Sequence, residues 1–98
     1  MKHFIIEITY TSPIKKIEEV LQEHRNFLQI GYEKNMLLCS GPLNTRVGGI
    51  IIAKAESSEK IKEFFLSDPY NVNLLADYSI KEFDPVKSQD FMKEWING

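Results

Sequence analysis

The chain has a single cysteine, Cys39, among 98 residues. No internal disulfide can form, and no cysteine-rich zinc site can be built. Histidine is nearly as scarce. The two present, His3 and His24, are scattered with Cys39 at no metal-ligand spacing, so no metal is expected. No apolar run approaches the ~20 residues that span a bilayer. Glu7 interrupts the first apolar stretch too early for a signal-peptide core. A reduced, cytoplasmic, unprocessed protein is therefore expected, with no membrane partner. Excess positive charge is also missing. The formal net charge of −2 supplies no field to attract nucleic acid, so none is expected. Gly48-Gly49 does not continue into either glycine pattern of the phosphate-binding loops. No repeat, low-complexity tract or linker divides the chain, and residues 1–98 read as one domain.

What is present is ordinary for a globular protein: 43% hydrophobic and 27% charged residues. The order of elements follows from periodicity. Residues 3–10 alternate as a strand, with Phe4, Ile6, Ile8 and Tyr10 on one side. Ser12 is suited to cap a helix and Pro13 to open it. That helix is expected to run to about Lys34, weakened by Gly31 and stopped by Asn35 in a left-handed conformation. Residues 36–40 form a short strand ended by Gly41-Pro42, and 43–47 a loop. Residues 48–55 form a third strand centred on Ile50-Ile51-Ile52. Ser57 or Ser58 caps a second helix that must stop near Asp68, ahead of Pro69. A connector leads to a fourth strand over 76–83. After Pro85, Ser88 is placed to cap a last short helix within about 86–97.

This order predicts an α+β fold of the ferredoxin-like βαββαβ type. A four-stranded antiparallel sheet would carry both main helices on one face, with a C-terminal helix added. Three consecutive isoleucines must point to both faces of the sheet. The second face therefore needs a cover. The C-terminal helix could supply part of it and a second copy of the sheet all of it, so a homodimer with sheets face to face is expected.

His24 is the residue that breaks the pattern. It interrupts the oily stripe of the first helix, made by Ile14, Ile17, Val20, Leu21, Phe27, Leu28 and Ile30. Lys15, Glu18, Glu19, Glu23 and Arg25 belong to the opposite, wet face. An imidazole aimed at a core is either a hydrogen-bonded core residue or a proton donor and acceptor. Asp68, in Asp68-Pro69-Tyr70, either closes a helix or orients an imidazole and stabilises its charge. Spacing does not decide whether the two meet. Ser40-Gly41-Pro42 reads as a plain strand exit or as an opening where a ligand approaches backbone. His3 is expected at the surface, Cys39 as a small buried hydrophobe, and Phe64, Phe65, Tyr70 and Phe83 in the core.

The ordered set of these segments resembles a known family. The set is the helix with His24, Met36-Leu37-Leu38-Cys39-Ser40-Gly41-Pro42-Leu43, Gly49-Ile50-Ile51-Ile52-Ala53, Glu56-Ser57, Asp68-Pro69-Tyr70 and Tyr78-Ser79-Ile80-Lys81-Glu82-Phe83. It is similar, over roughly residues 1–84, to the YciI-like, or YCII-related, family of small dimeric α+β barrel proteins. The resemblance implies the ferredoxin-like fold, a dimeric barrel and a pocket with a His–Asp pair, carried onto His24 and Asp68. Ser40, Gly41, Pro42 and Tyr70 match positions near that pocket. Some relatives are dehydrochlorinases of chlorinated aromatics, and similar barrels house muconolactone isomerases. This chain departs by Asn35 in place of glycine after the first helix, by a short loop over 44–47, and by a longer tail after Pro85.

Two functions compete. One is a cofactor-free enzyme on a small organic molecule, working by elimination, isomerisation or lyase-type proton transfer, with His24 as acid or base and Asp68 orienting it. The other is a non-catalytic homodimeric module, ligand-binding or structural, in which His24–Asp68 is a buried pair.

Overall fold

In the computed structural model, which describes residues 1–98, four strands form one antiparallel sheet in the order β2-β3-β1-β4. They are β1 (Lys2–Tyr10), β2 (Leu37–Pro42), β3 (Gly48–Ala55) and β4 (Ala76–Phe83). The ferredoxin-like α+β arrangement expected from the sequence is therefore present. The sheet's inner face is set by register. Phe4 pairs with Ala53 and Ile6 with Ile51, and on the other side Ile6 pairs with Ile80 and Ile8 with Tyr78. Phe4, Ile6, Ile51 and Ala53 are buried under the helices together with Ile17, Ile61 and Phe65.

The first helical stretch is two helices, α1 (Ile14–Glu19) and α2 (Leu21–Glu33). Val20 separates them with φ −113° and ψ 9°, in the sparsely allowed bridge region. Ser12 does not cap α1. Pro13 holds that position and no side chain bonds the first turn. Ile14 and Ile30 lie partly outside the stripe and are 40% and 48% exposed. On α2 the inward residues are His24, Phe27, Leu28 and Gly31. Gly31 is there for close packing, since a β-carbon would meet Leu37 at 2.7 Å and Phe64 at 2.9 Å. Asn35 adopts φ 59° as expected.

Helix α3 (Ser58–Phe65) is capped by Ser57, whose hydroxyl accepts from Lys60 N–H at 3.3 Å. The connector that follows contains a further short helix, α4 (Pro69–Val72), which the sequence reading did not resolve. No helix is long and apolar enough to cross a membrane.

The outer face of the sheet is mixed. Ile5, Ile50 and Ile52 are half-buried there, and β4 adds Lys81, paired with Glu7 at 3.6 Å. Cys39 is exposed rather than buried. It pairs with Ile52 on that face, beside the irregularity in edge strand β2. Phe83, at the end of the other edge strand, is also partly exposed. A 3-10 turn (Asp90–Met92) and α5 (Lys93–Asn97) fold back over one end of this face. No side chain caps either piece, so Ser88 does not act as expected. His3, expected at the surface, is buried because Nε2–H donates to the Ile96 carbonyl at 3.0 Å and the ring meets Trp95 edge-on. Lys54 is buried too. Its ammonium donates to the Trp95 carbonyl and lies 4.8 Å from the Trp95 ring centre.

Candidate active site

Asp68 reaches the site because the chain turns twice around it. Helix α3 ends just before it, and Pro69 starts α4 directly after it. In that position Asp68 is the N-cap of α4, and its Oδ1 accepts from Tyr70 N–H at 3.1 Å. The carboxylate is fully buried. A buried carboxylate is tolerated where several donors surround it, and two more are supplied. His24 Nδ1–H donates to Oδ1 at 2.8 Å, and the Tyr78 hydroxyl donates to Oδ2 at 2.6 Å. The sheet, the α2 helix and the α3–α4 turn thus converge on one carboxylate.

This network fixes the imidazole. With Asp68 accepting at Nδ1–H, the lone pair of the neutral ring lies on Nε2. No protein group bonds that nitrogen. The Tyr70 ring stacks on the imidazole at 3.9 Å between centres and 11° between planes. Tyr10 meets Tyr70 edge-on at 5.9 Å. The His24 ring is therefore held by a hydrogen bond at one edge and by a stacked aromatic on its face.

Both tyrosines stay protonated well beyond neutral pH. Burial pushes the Tyr78 hydroxyl up, and its bond to Asp68 adds to this. Burial also raises Tyr70, with Tyr10 and Asp68 contributing, while the positive charge of Arg46 opposes them. The Tyr70 hydroxyl is buried close to that of Tyr10, without forming a regular hydrogen bond to it.

His24 and Tyr70 line a cavity of about 230 Å³ between α2 and the β2–β3 end of the sheet, while Asp68 sits behind His24. Ser40, Gly41 and Pro42 form part of its wall, but they are not the strand exit expected: β2 runs on through Pro42, with Ser40, Gly41 and Pro42 paired to Ile51, Ile50 and Gly49. The Ser40 hydroxyl shares a hydrogen bond with the Tyr32 hydroxyl at 2.6 Å. Ile8, Leu21, Leu28 and Ile51 supply the apolar lining. No three His, Cys, Asp or Glu side chains cluster in a way that could hold a metal ion.

The sequence reading missed four residues here: Tyr10, Tyr78, Arg25 and Arg46. Strand alternation places Tyr78 on the helix side with Ala76 and Ile80, but does not name its partner. Arg25 belongs by periodicity to the wet face of its helix, yet it reaches the rim of the cavity. Arg46 carries no sequence signal at all.

The family model described as the YCII-related domain matches residues 1–84. No curated protein matches the chain in sequence. Among solved structures, the chain is similar to 5-chloro-2-hydroxyhydroquinone dehydrochlorinase from Burkholderia phenoliruptrix, determined in complex with 2,5-dihydroxybenzoquinone. The TM-score is 0.70 at 17% identity, over 85% of this chain and 93% of that one. At that identity the likeness speaks for the fold.

Proposed function

This chain belongs to the YCII-related domain family, and from that premise we propose that it is a cofactor-free enzyme acting on a small organic molecule by general acid–base chemistry at His24. The observation that carries the proposal is the asymmetry of the imidazole. Nδ1 is tied to a fully buried Asp68, whereas Nε2 is unbonded on a residue that lines a cavity. Buried side-chain polar atoms ordinarily have partners, so a ring nitrogen without one on a cavity-lining residue is available to a ligand.

In the proposed reaction, Nε2 removes a proton from a carbon activated by a neighbouring carbonyl or phenol. The electron pair of the C–H bond moves into the substrate. In an elimination it forms a double bond as the leaving group departs with its own bonding pair. In an isomerisation the proton returns from the imidazolium to a different carbon. Asp68 keeps the tautomer and stabilises the imidazolium, and Tyr78 holds the second carboxylate oxygen. Among the lining residues, exposed Ser40 offers a hydroxyl to developing charge on a substrate oxygen. The dehydrochlorination named for the structural relative likewise couples movement of a proton to departure of a leaving group, which supports the reading. Positioned proton transfer contributes about 10²–10⁴-fold in rate.

The test is proton exchange. Candidate one-ring phenols, lactones and cyclic ketones are incubated with the protein in D₂O and followed by NMR. Catalysed deuterium incorporation or halide release is expected, with a loss of about 10²–10⁴-fold in His24→Ala and partial recovery on adding imidazole. A His24→Ala protein that stays folded and keeps full activity defeats the proposal.

A second reading rests on one observation: Asp68 also caps α4 and binds Tyr78, roles that hold the fold together without turnover. It predicts a ligand-binding module in which His24→Ala mainly unfolds the protein. We place the working form as a cytoplasmic homodimer, with a second copy covering Ile5, Ile50 and Ile52 on the outer sheet face. A monomer by light scattering at micromolar concentration would count against that assembly.

A further inference from the structure

The cavity beside His24 carries net positive charge that the proton-transfer chemistry leaves unused. Arg25 and Arg46 both lie on its lining, and no aspartate or glutamate does. Neither guanidinium takes part in an ion pair or in a side-chain hydrogen bond to another residue. This occurs in a chain whose formal net charge is −2. Charges of this kind are ordinarily solvated or neutralised by neighbours; here they converge on one opening from two unconnected segments, α2 and the β2–β3 loop.

Arg46 is held there by an unfavourable backbone. Its φ is 53°, the left-handed region that a β-carbon disfavours. The turn is closed by Arg46 N–H donating to the Leu43 carbonyl at 2.8 Å. It is tied to the sheet at both sides, by Tyr10 N–H to Val47 O at 2.9 Å and Leu43 N–H to Gly48 O at 2.8 Å. Glycine or asparagine would fit this backbone with less strain. An arginine at such a position points to work for its side chain.

We infer that the cavity selects a one-ring organic anion, whose carboxylate or acidic hydroxyl is gripped by Arg25 and Arg46 while its body lies on the apolar wall beside His24. Size agrees. An apolar cavity of about 150 Å³ takes up benzene, so about 230 Å³ holds a single ring with one or two polar substituents. Chemistry agrees as well. Guanidinium forks suit planar oxyanions, and Ile8, Leu28 and Ile51 offer the ring an apolar surface.

The inference rests on the proposed active site but concerns recognition, so binding and turnover are measured separately. NMR titrations compare 4-hydroxybenzoate with 4-hydroxybenzamide, which share shape and differ in charge. They use the wild type, R25Q/R46Q and His24→Gln. The acid is expected to bind about tenfold more tightly than the amide to the wild type, each exposed guanidinium contributing about threefold. The preference should shrink with added salt. R25Q/R46Q should bind both compounds equally, and His24→Gln should keep the preference. Phenols more acidic than 4-hydroxybenzamide, such as 4-nitrophenol, distinguish a phenolate from a carboxylate ligand, and preference for either anion supports the inference. Equal binding of acid and amide by the wild type, a preference that survives in R25Q/R46Q, or no binding of any compound overturns it. An acid preference without turnover of any substrate leaves the inference standing and removes the enzymatic reading.

Discussion

Replacing Tyr78 by phenylalanine removes one atom from a buried network and should change the protein in two separable ways. The hydroxyl donates to Asp68 Oδ2 at 2.6 Å. Hydrogen bonds to charged partners are worth about 1.5–3 kcal/mol, and leaving a buried acceptor unpaired carries the desolvation penalty. At neutral pH the variant should lose about that much stability. In a domain of this size each kcal/mol moves Tm by about 4–8 °C, so the midpoint should fall by about 10 °C. The second effect appears in alkali. Both Tyr70 and Tyr78 are raised above the ordinary phenol value of 10.0, mainly by burial. Above that pH the unfolded chain releases both protons while the folded chain keeps them. The stabilisation is fully present below about pH 10 and is lost as pH rises above it. Two retained protons give a slope of about 2.7 kcal/mol per pH unit, and Tyr78→Phe should halve the contribution of this pair. Urea unfolding at neutral pH and at several values above about pH 10 measures both. A variant with the wild-type midpoint at neutral pH and the full alkaline slope would refute the bond between Tyr78 and Asp68.

Asp68→Asn keeps an oxygen for one donor but presents an amide to the others; we expect a stability loss of about 3–5 kcal/mol by urea unfolding, together with loss of activity at His24. Gly48→Ala puts a β-carbon 1.8 Å from the Ile8 carbonyl oxygen, and its failure to reduce soluble, folded yield or lower Tm would contradict the β1–β3 packing. Trp95→Ala should free the C-terminal segment. Faster amide exchange at the His3 end of β1 is expected, with cavity binding unchanged, because Trp95 contacts His3 and Lys54 on the outer face and not the cavity.

Local pattern was enough for three of the four strands; β2, expected over 36–40, runs from Leu37 through Gly41 to Pro42 because pairing with β3 extends it. The bounds of β3 and β4 and the alternation of β1 depend on side-chain period, and a shift by one residue would turn every apolar side chain to the wrong face. The Asn35 stop and the Ser57 cap were legible because each depends on its own side chain. The break at Val20 was not, since Val20 belongs to a stripe that reads as one continuous helix; nor was the uncapped start of α1, since Ser12 is a capping residue by type and only the geometry shows that it makes no cap bond. Cys39 was misread because apolar neighbours do not reveal that β2 is an edge strand. His3 and Lys54 were hidden for a related reason: their cover comes from α5, more than 40 residues further on in sequence for both.

By itself the sequence determined that a histidine lies in an apolar stripe, that an aspartate precedes a helix-starting proline, and that the order of elements is βαββαβ. Period and local side-chain chemistry suffice for these. Only the tertiary structure decided that Asp68 meets His24 across 44 positions, that Tyr78 completes the carboxylate's donors, and that Arg25 and Arg46 share the rim of one cavity. These depend on how α2, the α3–α4 turn, β4 and the β2–β3 loop pack against one another. Distances between elements are set by that packing, and no local pattern records them.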